Sequence, residues 1–421
     1  MNTLERFGGR RLAALVLSLL VMVSGALAGG VARAQPVGQG DAAGPACAWQ
    51  IMSNDQILNV AFPDSGATYW VLPYHLGPGQ SITLTGQYPD ARYFSLNTYG
   101  TDFNTVDTLR DNQIQPEEGS ANPYATVAPS AAGRNWTATV VSGPADPARN
   151  EIRGLREGQQ SSVGFLIVRI YVPADPASPS GGVHLPTVTM NLGGGMTLPL
   201  SPCATPFDPR AYSGPIAAAL TAVFDRAIGN AAAGAFPGGA PEATFITPAS
   251  TSGLFPNGDN KYIGAGLTYQ PGRVLVIRGM APSFPDTRAG ESPATTGVAM
   301  RYWSMCQNDR VTPYPVVGCA DDYQTRIDSG GYYTFVVAAA EDMTASADST
   351  ITMLPWGDIT VPNKVVFIRN MLPSEQFYPW SIQAAQDSGV DPATSMGPYY
   401  PRATYCDVTV LQSQGWQACY T

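Results

Sequence analysis

His75 and His184 are the only two imidazoles in a chain of 421 residues, so base catalysis near neutral pH has few places to start. His75, in Leu72-Pro73-Tyr74-His75-Leu76, is the candidate general base. His184, in Gly181-Gly182-Val183-His184-Leu185, has no acid beside it. Asp309, Asp321 and Asp358 are the carboxylates that could serve a secreted hydrolase, and its glycosidase version would need two of them flanking a cleft. No Gly-x-Ser-x-Gly elbow occurs, which argues against an α/β-hydrolase. Asp107/Asp111, Glu117-Glu118 and Asp321-Asp322 offer oxygen to a hard cation, yet no EF-hand loop frames them and they read as solvated loop acids. Neither a metal nor a cofactor is expected. Tyr74, Trp356, Trp380, Tyr399 and Tyr400 are the candidates for stacking on a sugar or other small ligand.

The balance of 23 basic against 32 acidic side chains gives a net charge of −9, with only two lysines, Lys261 and Lys364. No basic run exists, so nucleic acid and polybasic membrane contacts are disfavoured. With 44% hydrophobic and 13% charged residues the chain has material for a core, and disorder is excluded. Arg6, Arg10 and Arg11 precede an apolar run from Leu12 to Ala28, followed by Ala26-Leu27-Ala28 and Ala32-Arg33-Ala34. This is the pattern of a secretory signal over residues 1–34, with the earlier cleavage site still open and a flexible linker over 35–46. The mature protein is then secreted or periplasmic, without integral membrane association. Its six cysteines, Cys47, Cys203, Cys306, Cys319, Cys406 and Cys419, read as three disulfides in an oxidising compartment.

The elements that must hold these residues are visible as an internal repeat. Pro78-Gly79 followed by Ser81-Ile82-Thr83-Leu84 recurs as Pro271-Gly272 followed by Val274-Leu275-Val276-Ile277. Arg92-Tyr93-Phe94-Ser95-Leu96 recurs as Arg301-Tyr302-Trp303-Ser304-Met305, Asp111-Asn112-Gln113 as Asp322-Tyr323-Gln324, and Leu166-Ile167-Val168-Arg169 as Val366-Phe367-Ile368-Arg369. Four collinear blocks point to duplication. The blocks are β-branched and aromatic with Gly/Pro/Asn/Asp between them, the writing of strands and turns. The expectation is two related antiparallel β-sandwich halves, 47–205 and 246–373, with seven or eight strands each, joined by a helical linker over 206–245. A helix should run from Ile216 through Ile228 and stop at Gly229. Residues 374–421 should add a short helix and a Tyr-rich cover. Cys306 and Cys319 align with Asn97 and Thr108, so they are absent together from the first half and pair naturally. Cys406 with Cys419 and Cys47 with Cys203 follow, the last as a clasp on the first half. The recurring Arg and Asp residues predict an Arg–Asp pair inside each sandwich. Tyr74, His75, Asp309, Asp321, Trp356 and Asp358 break the repeat and are the better functional candidates.

Tyr302-Trp303-Ser304-Met305, Asp328-Ser329-Gly330, Leu354-Pro355-Trp356 and Ile368-Arg369-Asn370-Met371-Leu372-Pro373, with Phe94-Ser95-Leu96-Asn97-Thr98-Tyr99 and Val168-Arg169-Ile170-Tyr171-Val172-Pro173, resemble the motifs of a bacterial domain-of-unknown-function family, the 1214 type, often paired with a 1254-type domain. The resemblance implies a jelly-roll-like β fold in an exported protein and transfers no catalytic residue. Asp328-Ser329-Gly330-Gly331 also resembles the nucleophile turn of chymotrypsin-like proteases, but the flanking Ile327 and Tyr332 depart from it and no Ala-Ala-His-Cys segment exists. The expected function is binding of a small molecule or an envelope glycan between the halves. A hydrolase and a structural envelope component are the competing classes.

Overall fold

The computed structural model describes residues 47–127, 132–205, 215–343 and 348–421, with side chains of 215–220 left aside. The signal and linker expected over 1–46 lie outside the described residues. The chain is built mainly of β-strands. The first ten are β1 (Ile51–Ser53), β2 (Ala67–Leu76), β3 (Ser81–Gln87), β4 (Ala91–Gly100), β5 (Thr105–Arg110), β6 (Asn135–Val141), β7 (Glu151–Arg153), β8 (Ser162–Pro173), β9 (Thr187–Gly193) and β10 (Met196–Leu200). Helix α1 (Pro215–Ala235) follows, then β11 (Asn260–Thr268), β12 (Arg273–Met280), β13 (Met300–Asp309), β14 (Val316–Asp321), β15 (Tyr332–Ala338), β16 (Ile351–Pro355) and β17 (Asn363–Pro373). Helices α2 (Ile382–Ser388) and α3 (Pro392–Ser395), strand β18 (Arg402–Asp407) and helix α4 (Val408–Gln414) complete the chain.

These strands make two sandwiches, among the described residues ten strands in the first against an expected seven or eight and eight in the second, and the sheet orders correspond over the shared strands. β1-β2-β8-β4-β5 faces β10-β9-β3-β6-β7 in the first half, and β11-β17-β13-β14 faces β16-β15-β12-β18 in the second. Pro-Gly starts the equivalent strands β3 and β12 because Gly79 and Gly272 take φ of 72° and 71°, the left-handed position of a type II turn. The C-terminal segment contributes more than a cover: β18 pairs with β12 and occupies the place that β9 takes beside β3. Gly229 does not stop α1, which runs on to Ala235. Ala231-Ala232-Ala233 continue it, and a single interior glycine costs only about 1 kcal/mol.

Each half has its own core, around Trp49, Tyr88 and Trp136 in the first and Trp303, Tyr333 and Trp356 in the second. β4, β8, β13 and β17 are buried almost throughout, with both faces covered, and carry buried polar residues such as Arg92, Asn97, Gln307 and Arg369 among the apolar ones. Their second face is the contact between halves, where Tyr93, Tyr171, Tyr302 and Met371 form a shared cluster. Three disulfides are made: Cys47–Cys203, Cys306–Cys319 and Cys406–Cys419. No described helix is long and apolar enough to cross a membrane.

The recurring Arg and Asp residues pair between the halves, not within them. Arg92 Nη1 lies 2.9 Å from Asp322, and Arg301 Nη1 lies 3.1 Å from Asp111. Each arginine also donates to the other's carbonyl at 3.4 Å. The carboxylates are set by matching turns, in which Gln113 and Gln324 fold back to accept the N–H of Arg110 and Asp321 at 3.0 Å. Each guanidinium thus crosses the seam to a carboxylate and a carbonyl of the other half, while Arg92 Nη2 keeps no hydrogen-bond partner among the described residues.

A candidate ligand site at an incompletely filled seat

Two arms precede the inner sheets, residues 59–66 before β2 and 252–259 before β11, and each docks on the opposite half. Their cores are Phe62-Pro63-Asp64 and Phe255-Pro256-Asn257, with Phe62 and Phe255 at left-handed φ of 58° and 51°. Phe62 N–H donates to the Tyr314 carbonyl at 2.9 Å, and its own carbonyl accepts from Arg369 Nη2 at 2.7 Å. Phe255 repeats this on the first half, donating to the Phe103 carbonyl at 3.2 Å and accepting from Arg169 Nη2 at 2.7 Å. Phe103 and Tyr314 are themselves left-handed, at 60° and 61°. A non-glycine residue there costs about 1–2 kcal/mol, so the recurrence of this backbone shows how firmly each seat grips its arm.

The first seat is full. Phe103 stacks on Phe255 at 4.6 Å between ring centres, Phe165 and Phe224 of α1 each close on Phe103 at 5.8 Å, and Tyr99 sets its edge on Phe255 at 5.5 Å. The Tyr99 hydroxyl donates to Pro256 O and accepts from Arg169. The second seat is not full. Tyr99 stands opposite Phe165 across β4 and β8, whereas Asn308 stands opposite Val365 across β13 and β17. Both strands carry a register shift at this point, which fixes the equivalence. Replacing Tyr and Phe by Asn and Val withdraws volume that packing cannot recover. What remains is a hollow of about 280 Å³ lined by Phe62, Ala232, Ala233, Phe236, Gly238, Gly239, Arg310, Tyr314 and Val365. A smaller one of about 50 Å³ lies on the other side of Phe62, against Tyr262, Phe367 and Arg369.

Polar capacity at this seat is unspent. The Asn308 amide donates to the Cys306 carbonyl at 3.2 Å, but its buried Oδ1 has no partner. The Arg310 guanidinium, exposed at the edge of the hollow, and the half-buried Tyr314 hydroxyl have no hydrogen-bond or ion-pair partner among the described residues. Arg310 rests on Gly239, where a Cβ would lie 2.7 Å from Nη2. Glycine is required there by a φ of 99°.

The residues singled out in the sequence lie elsewhere. His75 is exposed on β2 and makes no hydrogen bond or ion pair among the described residues, and His184 is exposed before β9. Tyr74 points into the first core and donates to Gly154 O at 2.7 Å. Trp356 is a core residue of the second half, 5.5 Å from the Tyr269 ring. Both sit at inward positions and have no face open to a ligand. Tyr399 packs edge-on to Phe377 at 4.8 Å, and the Tyr400 hydroxyl donates to Phe245 O and accepts its N–H. These two pin the C-terminal segment to the second core.

Asp309 and Asp358 do come together, around Lys364. The buried ammonium pairs with the Asp309 carboxylate and donates to Asp358 O at 3.1 Å. Hydrogen bonds from the Thr360 hydroxyl and N–H hold the Asp358 carboxyl below the usual carboxylate range. Of the acids read from the sequence as solvated loop residues, Asp111, Asp321 and Asp322 are instead buried, two of them on arginines, while Asp107 accepts the Arg153 N–H and Glu117 the Thr137 hydroxyl. Asp64 lies within 4.8 Å of the Cys306 and Cys319 sulfurs, but those sulfurs are spent in a disulfide.

Asp321 is buried under the first arm. The Tyr302 hydroxyl lies 2.8 Å from Asp321 Oδ1 and 2.9 Å from Asp64 Oδ2, and Ser304 donates to Asp64 at 2.8 Å. One phenol proton cannot serve two carboxylates. Burial, then the charge of Asp64, pushes the Asp321 carboxyl well above its ordinary value, which favours its protonated form. Burial likewise pushes Asp111 up to about 6 and Asp322 up to about 7 against the pull of their arginines. The equivalent place in the first half is ionic: Arg110 pairs with Asp259, which accepts from the Tyr93 hydroxyl at 2.8 Å.

Comparison with solved structures places the fold. An uncharacterized protein from Burkholderia cenocepacia superposes with a TM-score of 0.54 at 14% identity, covering 97% of this chain and 91% of that one. A protein from Vibrio parahaemolyticus gives 0.40 at 12% identity over 84% of this chain and 92% of its own. No protein-family model and no curated protein matches this sequence. The Burkholderia likeness is one of fold, spanning both sandwiches.

Proposed function

We propose that this is an exported protein that binds a small molecule in the hollow between α1, the first arm and the inner sheet of the second half. One observation carries the reading: two halves with the same strand order seat equivalent arms, and only one seat is packed solid. The wall of the unfilled seat also carries the Arg310 guanidinium and the Tyr314 hydroxyl, the mix of apolar wall and few polar groups typical of ligand sites. At about 280 Å³ the space suits a compact ligand and leaves no room for a glycan chain. Duplication of one ancestral sandwich, supported by the shared strand order, explains the pairing of a structural seat with a binding seat. Export is supported by the N-terminal pattern and by the three disulfides. The motifs shared with the 1214-type family agree with a β fold. A hydrolase draws less support, because Asp309 is neutralised by Lys364, Asp321 is buried and His75 has no acid partner.

The test is a fragment screen by methyl NMR on the mature protein, with Val365→Phe in parallel. Val365→Phe copies the first half's Phe165 and should fold, checked by its melting curve. Aromatic fragments should shift the Val365 methyls in the parent chain and fail to bind the variant. Undiminished binding to Val365→Phe, or no fragment binding at all, overturns the reading.

A further inference from the structure

We infer that the ligand of this hollow is a small apolar carboxylate, its hydrocarbon body against Phe62, Phe236 and Val365 and its anionic head at Arg310 and Tyr314. The inference rests on the binding reading above and adds the charge of the ligand. No carboxylate lines either hollow, while each has a guanidinium in its wall, Arg310 in the larger and Arg369 in the smaller. Arg369 is committed: it pairs with Asp64 at 3.3 Å and donates to Phe62 O and Pro63 O. Arg310 is uncommitted, and its neighbour Asp309 is neutralised by Lys364. In a chain of net charge −9, a free guanidinium beside an apolar pocket, with an unpartnered phenol in the same wall, is a local attraction for an anion. A planar fork matches the two oxygens of a carboxylate, and the phenol can donate to one of them. The first half has Thr101 just beyond β4, where Arg310 follows β13, and Arg156 beside that seat is paired with Asp102 at 2.6 Å, so Arg310 has no unpaired counterpart there.

Benzoate, benzamide and benzylamine are isosteric probes that separate charge from shape. Titrated into the mature protein at neutral pH, benzoate should bind about tenfold tighter than benzamide, the size of one charge-assisted hydrogen bond, and benzylamine weakest. Arg310→Gln should bring benzoate down to the level of benzamide without altering benzamide, while Val365→Phe should abolish both. If benzamide matches benzoate, or Arg310→Gln leaves the preference intact, the carboxylate assignment fails and the site stands. If no probe shifts the Val365 methyls, both fail.

Discussion

The two arm seats differ by a few side chains on one shared backbone. In both, a left-handed Phe followed by Pro bonds to a left-handed aromatic residue and offers its carbonyl to an arginine on the central strand. The first seat then spends Tyr99, Phe165 and Phe224 on filling itself; the second has Asn308 and Val365 in the first two places. Backbone geometry is therefore set by the arm–arginine contact and the seam, and side-chain volume alone separates a structural joint from a cavity. The seam shows the same economy. Arg92–Asp322 and Arg301–Asp111 are equivalent, yet the Arg92 side chain is fully buried and the Arg301 side chain is 11% exposed.

That difference in burial orders the largest effect. Arg92→Ala strands the buried Asp322 carboxylate and should cost about 3–5 kcal/mol, partly relieved by adding Asp322→Asn. Arg301→Ala, with water able to reach the vacated site, should cost visibly less. Urea unfolding of the four chains measures it, and equal losses from the two arginines would show that burial does not distinguish the pairs.

Next comes the volume difference itself. Phe165→Val imports the second half's residue into the full seat and should cost about 2–3 kcal/mol, the usual toll of a buried large-to-small change. It should also open a hollow that takes up xenon or benzene on the first half, visible by NMR at the neighbouring Ile167. A stability loss without a new binding site would mean that Phe103 and Phe224 collapse into the space.

Much of this architecture is legible in the sequence. Pro78-Gly79 and Pro271-Gly272 mark the strand starts, the aligned blocks mark the inner strands, and the paired absence of Cys306 and Cys319 from the first half marks their bond. The seats are less legible, because Phe62-Pro63 and Phe255-Pro256 are short signals outside the long blocks. Aligning Phe165 with Val365, immediately before the Leu166 and Val366 blocks, is what could have revealed the hollow. The seam pairing was not legible: Arg92 and Asp322 recur with their partners in both halves, and recurrence fixes which residues pair by type without saying which copy each one meets. Tyr74 and Trp356 broke the repeat for reasons of core packing, so repeat-breaking alone does not mark a ligand site.

A smaller effect distinguishes the carboxylates under the arms. The folded chain keeps a proton on Asp321 that the unfolded carboxyl, with an ordinary value of 3.8, releases. Above about pH 4 the folded state therefore binds more protons, and stability falls with rising pH by at most about 1.4 kcal/mol per unit for this group. Asp111, raised to about 6, and Asp322, raised to about 7, act in the same direction. Asp321→Asn keeps an acceptor for Tyr302 and should flatten the decline above about pH 4. An unchanged slope would remove Asp321 from the proton count and leave the two seam carboxylates to carry it.

The smallest effect is at the strand pair next to each seat. Cys306 and Cys319 stand directly opposite on β13 and β14, and at the equivalent positions on β4 and β5 the Asn97 amide donates to the Thr108 hydroxyl at 3.0 Å. The disulfide closes a loop with a sequence separation of 13, for which chain entropy gives about 3 kcal/mol. The hydrogen bond is worth about 1 kcal/mol. Thr108→Ala should cost that amount and Asn97→Ala more, because Asn97 Oδ1 also accepts from the Ser95 hydroxyl at 2.9 Å, and the loss of Asn97→Ala should not grow when Thr108→Ala is added. The asymmetry has a physical reason in the seats: the full seat packs Tyr99 and Phe165 around the arm, while the hollow seat has Asn308 and Val365 in their places and gains a covalent tie two residue pairs away. A cost for Asn97→Ala as large as opening the disulfide would mean that the packed seat does not stabilise its own strands, and the division between structural and binding halves would lose its energetic basis.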